Sequence, residues 1–276
     1  SSYTYAYTFL QMPYAVVAVS IMSAVTPGLA ERWSTGDEVG FKRRLTAGLR
    51  ATLAVILPAA MGMLVLAHPA AALLLGHGSA KAAGTDTTGA ALAMFALGLP
   101  GFCTYLYFVR VLQSMQRTKV AFFLYLVENG LNVVLALALV HPLGVRGLAL
   151  SLSIAYTVAA LLALAVFHQW FGRLAERTAW APLWRVVIAT IPMAVVVLVV
   201  SNLSGSTSFG GLVARVLGAV VAGGLTFGAV VVLLGRRHDA HRPPPASPGP
   251  PAPPRPVAPR VPAVRRVGPI STSRGS

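Results

Sequence analysis

Long apolar runs, separated by short polar or charged segments, fill the first 235 residues of the chain. A helix needs about 20 mostly apolar residues to cross a bilayer. Seven runs reach this length, and they are much longer than the about ten alternating residues of a membrane barrel strand. The pattern predicts an all-α polytopic membrane domain over residues 1–235, with spans at about 4–29, 47–75, 90–112, 119–140, 147–169, 183–203 and 211–235.

Composition supports a membrane protein and excludes a soluble domain. Hydrophobic residues make up 56% of the 276 residues and charged residues only 11%, and the mean hydropathy is +0.71. A soluble domain usually carries about 25% charged residues. The single cysteine, Cys103, excludes a disulfide framework, and the six histidines lack metal-ligand spacing. With no phosphate loop or hydrolase motif, the sequence predicts neither an enzyme nor a metal or cofactor site.

The positive charges predict the orientation of the spans. Lys and Arg number 22, and 19 of them follow the first, third, fifth or seventh span, among them Arg110, which was assigned to the loop after the third span. Only Lys81, Arg146 and Arg215 fall on the other side. Because cytoplasmic loops are enriched in Lys and Arg, the C-terminus is predicted to be cytoplasmic. The net charge of +15 is then mostly a topology signal, with an added attraction to anionic lipids.

Residues 236–276 differ in kind from the spans. They contain 12 of the 20 prolines and eight arginines, and few residues that could form a core. We expect a disordered cytoplasmic tail with polyproline-II character. The stretch from Pro254 to Arg260 could dock on the aromatic groove of a cytoplasmic partner, or the tail could be a linker or lie along the membrane. Its arginines lack interleaved aromatics, so nucleic acid is not an expected partner.

Two further segments leave alternatives open. Residues 31–50 mix charges with Phe41 and Leu45, which predicts either a short amphipathic helix on the inner surface or an ordinary basic loop. Gly224 and Gly228 form a small-xxx-small motif in the last predicted span. We expect this pair to allow close packing within the helix bundle rather than dimerisation.

Polar residues inside the spans are the candidate functional groups. Tyr125, Glu128, Asn129 and Asn132 are spaced i, i+3, i+4 and i+7, which places them on one helical face. A carboxylate at bilayer depth costs several kcal/mol unless it faces a cavity or a partner. The functional interpretation is the wall of a cavity for a polar substrate, ion or proton. The alternative is a hydrogen-bond cluster between helices, with Glu128 neutral.

The first predicted span repeats this pattern beside a proline. Tyr7, Gln11 and Tyr14 share one face, and Thr8 adjoins it. Pro13 removes a backbone hydrogen bond there and should bend the helix. Prolines in three other spans are also predicted to kink helices, as in transporters that shape a site at the bilayer midplane; they are Pro58, Pro100 and Pro192.

The order of these features resembles the C-terminal half of the MurJ/MviN family, the lipid II flippases of the multidrug/oligosaccharidyl-lipid/polysaccharide exporter superfamily. The similarity covers about residues 3–170. It rests on Leu10-Gln11-Met12-Pro13-Tyr14, Pro27-Gly28-Leu29, Gly48-Leu49-Arg50, Leu57-Pro58-Ala59-Ala60, His68-Pro69, Gly98-Leu99-Pro100, Gln116-Arg117-Thr118-Lys119, Asn132 and Gly147-Leu148-Ala149-Leu150. The high content of Arg, Ala, Gly and Pro is typical of a GC-rich, actinobacterial genome.

This resemblance implies a two-lobed transporter of fourteen helices in the bacterial cytoplasmic membrane, of which this chain is about the last seven. It also implies a cavity for a lipid-linked, pyrophosphate-bearing disaccharide-pentapeptide, a groove for its polyprenyl tail between the last two helices, and alternating access. The partners would be the lipid-linked substrate, membrane lipids and the missing N-terminal lobe. Because the first residue is Ser1 and lies almost inside a span, we expect a fragment.

The sequence departs from the family at two places. The family often has a cavity arginine five residues before the first proline, where this chain has Thr8. Gln11 stands close by where the family has an acid, and the later family motif reads Gln116-Arg117-Thr118-Lys119-Val120-Ala121, without its acid or its proline. Since threonine cannot supply the charge that pairs with pyrophosphate, these departures are typical of a divergent paralogue. Two alternatives therefore stay open: export of another lipid-linked glycan or a drug, or a non-transporting membrane scaffold that acts through its tail.

Overall fold

The computed structural model of the protein describes residues 2–15, 19–75, 82–172, 177–203 and 209–239. These residues form eight helices and no strand: α1 (Ser2–Pro13), α2 (Val19–Ser34), α3 (Glu38–Leu75), α4 (Ala82–Ser114), α5 (Thr118–Leu143), α6 (Val145–Phe171), α7 (Arg177–Leu203) and α8 (Phe209–Asp239). Helices α3 to α8 are long and apolar enough to cross a bilayer. The all-α polytopic membrane fold is confirmed.

The described part of the first predicted span lies on either side of residues 16–18, which are outside the described residues. It consists of α1, with 12 residues, and α2, with 16. A 12-residue helix is about 18 Å long, which is too short for a hydrocarbon core of about 30 Å. Residues 14 and 15 after Pro13 form a π-helical turn, so the helical backbone continues past the proline and the bend predicted there stays a prediction. The helices also run without a break through Pro58, Pro100 and Pro192, so their kinks remain predictions.

The loop predicted over residues 31–50 is mostly helical. Residues 35–37 form the turn after α2, and α3 begins at Glu38. Gly36 adopts a positive φ of 73° in this turn, and Asp37 caps α3 by accepting a hydrogen bond from the Gly40 N–H at 2.9 Å. Phe41 is fully buried, so this segment is the packed start of α3. Both predicted alternatives, a separate surface helix and a plain loop, are therefore wrong.

Helix α4 lies at the centre of the bundle. It packs on α3 on one side and α6 on the other, with α1 and α2 beside it, and α5 packs on α6. The Tyr107 hydroxyl donates to the Leu45 carbonyl oxygen at 2.8 Å, joining α4 to α3. The Ser153 hydroxyl donates to the Met94 carbonyl oxygen at 2.8 Å, joining α6 to α4. Cys103 is fully buried in this core.

Helices α7 and α8 form a pair that packs against α3, away from the α4 core. A small second cluster of Leu66, Val197 and Ala219 holds the three helices together. Added Cβ atoms at Gly224 and Gly228 would meet nothing within 4 Å, so the prediction that this pair packs inside the bundle is wrong within the described chain. Gly223, whose added Cβ would lie 2.6 Å from Val197, is the close contact instead.

Helix α8 continues to Asp239, four residues past its predicted end. Residues 240–276 lie outside the described residues, so the tail stays a prediction.

Candidate functional site

Glu128 lies at the centre of the polar face of α5. Only 2% of its surface is exposed, and one of its carboxylate oxygens, Oε2, accepts a hydrogen bond from Asn129 Nδ2 at 2.7 Å. Asn129 is exposed, and its amide also donates to the Tyr125 carbonyl oxygen at 2.9 Å. Asn132 Oδ1 accepts a hydrogen bond from the Ser151 hydroxyl of α6 at 3.1 Å. The polar face therefore has a buried half against α6 and an open half.

Tyrosines from α4 and α6 surround Glu128, and the sequence analysis did not single them out. The carboxyl group of Glu128 interacts electrostatically with the hydroxyls of Tyr105 and Tyr156. The ring of Tyr105 lies 5.8 Å from that of Tyr125 and 5.5 Å from that of Tyr156. Tyr105 is fully buried, and its hydroxyl has no hydrogen-bond partner among the described residues. A buried hydroxyl of this kind is an available donor or acceptor beside the carboxylate.

Helix α1 adds a second polar wall next to this cluster. Tyr7 and Tyr14 are half-buried, with rings 5.9 Å from Phe95 and 5.0 Å from Phe102, respectively. Thr8 is exposed, and its hydroxyl donates to the Thr4 carbonyl oxygen of the same helix at 3.0 Å. Gln11 is also exposed. The rings of Phe102, Tyr156 and Tyr105 connect Tyr14 of α1 to Tyr125 of α5 through successive ring contacts, so the polar residues of the two helices lie on either side of one aromatic cluster.

Arg110 supplies a cation to this site. The charge count places it after the third span, although the predicted span 90–112 contains position 110; in the structure Arg110 lies inside α4, which ends at Ser114. It is exposed, and its guanidinium interacts with the Tyr14 hydroxyl. Counting charges by loop conceals such a residue, because a long arginine side chain near a helix end can point along the helix as well as into the loop.

The resulting surface joins hydroxyl and amide groups to one buried acid and one exposed cation. Such a set can hydrogen-bond sugars and peptides and can pair with a phosphate. Among the described residues, no group of three His, Cys, Asp or Glu lies close enough to hold a metal ion.

An apolar cavity of about 470 Å³ lies between α3, α7 and α8. Its lining is almost wholly apolar and includes Phe9, Pro58, Met63, Met193, Val220 and Gly224. Phe9 belongs to α1, which also carries Thr8 and Gln11. The apolar groove and the polar site therefore lie on either side of the same short helix.

Comparison with known proteins places the chain in a family. The sequence profile described as lipid II flippase MurJ matches residues 1–218. The probable lipid II flippase MurJ of Rhizobium meliloti (strain 1021) is 30% identical over 175 residues, which is 63% of this chain and 33% of that protein. The probable lipid II flippase MurJ of Buchnera aphidicola subsp. Acyrthosiphon pisum (strain APS) is 26% identical over 245 residues, 84% of this chain and 46% of that protein.

A solved structure, "Lipid II flippase MurJ, inward closed conformation", matches with a TM-score of 0.71 at 22% identity, covering 87% of this chain and 48% of the other. That similarity supports the fold. The chain spans between a third and a half of the length of the relatives it matches. It belongs to the MurJ family of lipid II flippases.

Proposed function

We propose that this chain is the C-terminal lobe of a flippase that moves a lipid-linked peptidoglycan precursor, lipid II, across the bacterial cytoplasmic membrane. The observation that carries the proposal is the site around Glu128 and Arg110, where a buried acid and an exposed cation lie among hydroxyl and amide groups inside apolar helices. A membrane protein retains such groups only where they face a cavity or a partner.

The polar surface fits the headgroup of this substrate. Sugar hydroxyls and peptide amides would hydrogen-bond with Gln11, Tyr125 and Asn129, all of which are exposed. The pyrophosphate would pair with Arg110, since a guanidinium offers several donors to phosphate oxygens. Arg110 would thus take the role that the resemblance assigns to an arginine at the position of Thr8. Glu128 would order this wall through Asn129.

The apolar groove between α3, α7 and α8 would hold the polyprenyl tail. Its lining offers few polar groups to a hydrocarbon chain, and its boundary on α1 lies beside the polar site. A lipid could then leave its tail in the membrane while its headgroup crosses. Rocking of this lobe against the N-terminal lobe, supplied by the rest of the longer protein, would expose the headgroup site to each side in turn.

The same proposal fixes the orientation. Apart from Arg110, which lies within α4, 18 of the other 21 basic residues are predicted on one side, so the C-terminus and the Pro/Arg-rich tail would be cytoplasmic. The tail would be available there to a cytoplasmic partner.

A second candidate is export of another lipid-linked glycan in the same superfamily. Thr8 favours it, because its hydroxyl is used within α1 and carries no charge for a phosphate. The two candidates differ in whether pyrophosphate is needed on the cargo.

The test uses the longer, full-length protein in a bacterial strain depleted of its own lipid II flippase, with growth and outward exposure of lipid II as readouts. We expect wild type to rescue growth and Glu128→Gln, at equal membrane level, to lose most of the exposure. Failure of well-inserted wild type, with rescue restored by Thr8→Arg, would instead favour a different cargo. If neither wild type nor Thr8→Arg rescues growth, the proposal is overturned.

A further inference from the structure

A separate pocket lies at the predicted cytoplasmic end of the bundle, on the side of the membrane opposite to Arg146 and Arg215. Its volume is about 450 Å³. It is bounded by the turn between α2 and α3, the turn between α4 and α5, and the end of α6. The residues that line it and matter here are Arg32, Trp33, Glu38, Arg117, Trp170 and Phe171. We call it the inner-end pocket.

Three charged side chains line the inner-end pocket, and two of them, Arg32 and Glu38, are ion-paired. Arg32 forms an ion pair with Asp37. Lys42 forms an ion pair with Glu38 at 2.9 Å. Arg117 has no carboxylate within ion-pair distance in the described ranges. It is therefore the cation that the pocket offers to an incoming anion.

Arg117 is held in place by an aromatic ring. Its guanidinium carbon lies 5.5 Å from the centroid of the Trp170 ring. A guanidinium over an indole keeps its N–H donors free at its edge, so stacking fixes the charge without using up its hydrogen bonds. Arg117 is exposed, and 40% of the Trp170 surface is exposed. The donors therefore point to solvent or to a ligand at the pocket mouth.

The position of the pocket identifies the ligand chemistry. Tryptophans such as Trp33 and Trp170 concentrate at the headgroup level of membranes. Basic pockets between helices on the cytoplasmic side suit phosphate-bearing headgroups. The geometry points to a binding site for the phosphate of an anionic phospholipid of the inner leaflet, with Arg117 as the anchor and Trp33 and Trp170 as the walls. This site is separate from the polar site around Glu128.

The test measures lipid retention by the full-length protein. The protein is reconstituted in phosphatidylcholine nanodiscs that contain an increasing fraction of phosphatidylglycerol. The protein is then released from the nanodiscs, and the lipids that stay bound to it are counted by native mass spectrometry. Arg117→Gln should weaken retention of phosphatidylglycerol about fivefold. Lys119→Gln is the matched control. It removes one positive charge two residues from Arg117, and the Lys119 side chain does not line the pocket. Its effect should be less than twofold.

Trp170→Leu provides a second variant that leaves the charge of Arg117 in place. We expect it to weaken retention about twofold to threefold, because the guanidinium loses the ring that holds it. Equal losses in Arg117→Gln and Lys119→Gln would mean diffuse surface attraction and would overturn the proposal. Unchanged retention in both Arg117→Gln and Trp170→Leu would also overturn it. The bound lipid can also be challenged with a soluble pyrophosphate-bearing headgroup and, separately, with added phosphatidylglycerol. Displacement by the headgroup alone would assign the inner-end pocket to the transported substrate and would overturn the proposal.

Discussion

Helices α4 and α8 show how differently two membrane spans of one chain can be built. In the most apolar 18-residue stretch of α4, the mean hydropathy is 1.7 and 61% of the residues are buried. In that of α8, the mean hydropathy is 2.4 and only 11% of the residues are buried. The more hydrophobic helix is the one that faces outward. Lipid imposes no cost on aliphatic side chains, so α8 needs few partners. Helix α4 carries Tyr105, Tyr107 and Arg110, which require the protein interior or a cavity.

Glycines sharpen the same contrast. Gly98 and Gly101 of α4 face the backbone of α6, where added Cβ atoms would lie 2.5 Å from Ser153 Cα and 2.8 Å from Thr157 Cα. Gly224 of α8 faces open space. The approach of α4 to α6 is therefore limited by backbone atoms, whereas the close contact of α8 with α7, at Gly223, is with the Val197 side chain. The packing of α4 on α6 beside the polar site depends on backbone geometry. The packing of α7 and α8, the outer pair of helices, depends mainly on buried apolar area.

The largest expected effect is on stability. Gly98→Ala should lower the stability of the full-length protein in detergent by about 1–3 kcal/mol, because the new methyl group would force α4 from α6. Gly224→Ala is the matched control and should change it little, since nothing lies near its added Cβ. The thermal midpoint of soluble, monodisperse protein is the measurement. Similar midpoints for the two variants would contradict the difference between the two regions.

The next effect concerns substrate binding at the polar region. Arg110→Gln should weaken binding of a pyrophosphate-bearing lipid to the full-length protein about tenfold, because a charge-assisted contact is lost. Arg43→Gln, which removes an exposed arginine of α3, is the control and should leave affinity near wild type. A titration in nanodiscs measures both. Equal affinities of the Arg110→Gln variant and wild type would remove Arg110 from the proposed headgroup site.

A smaller effect is expected at the outer pair. Val220→Trp should fill part of the apolar groove and reduce transport of a long-chain lipid by a factor of about three, while a short-chain analogue is affected less. Val221→Trp is matched in size but lies outside the groove lining and is 59% exposed. A vesicle flipping assay with both lipids separates the variants. Equal inhibition of the long and short lipids would argue against a tail-binding groove.

The smallest effect is at the turn before α3. The Gly40 N–H and then the Arg32 guanidinium hold the pKa of Asp37 below its usual range. A depressed carboxylate pKa stabilises the fold above the pKa of the unfolded chain, and this contribution is lost as pH falls through the folded pKa. Asp37→Asn should therefore be less stable than wild type at pH 7, and the difference should start to shrink below about pH 4 and disappear below the lowered pKa of the folded protein. Thermal unfolding across this range tests the sign.

The sequence predicted most helices because apolar length alone determines a span. Helix α6 spans Val145–Phe171 against a predicted 147–169. The bend at Pro13 stays a prediction, because residues 16–18 between α1 and α2 lie outside the described residues. The early start of α3 was missed, because its charged residues look like a loop while Phe41 makes it part of the core.

The site was only half predictable for a different reason. Glu128 and Asn132 stand out as polar residues at helical spacing within an apolar run. Tyr105 and Tyr156 do not stand out, because isolated tyrosines are common in membrane helices, and their proximity to Glu128 depends on how α4 and α6 pack. The polar pattern of one helix is visible locally, whereas the neighbours that complete a site come from tertiary contacts.

The most direct test of the central claim is photo-crosslinking of substrate by the full-length protein. A benzophenone amino acid replaces Tyr125, which faces the polar site, or Leu161, which is 61% exposed on α6. With a lipid II analogue labelled in its sugar, we predict strong labelling of protein from position 125 and background labelling from position 161. Equal labelling at both positions, or none at 125, would contradict the assignment of this polar surface to the headgroup.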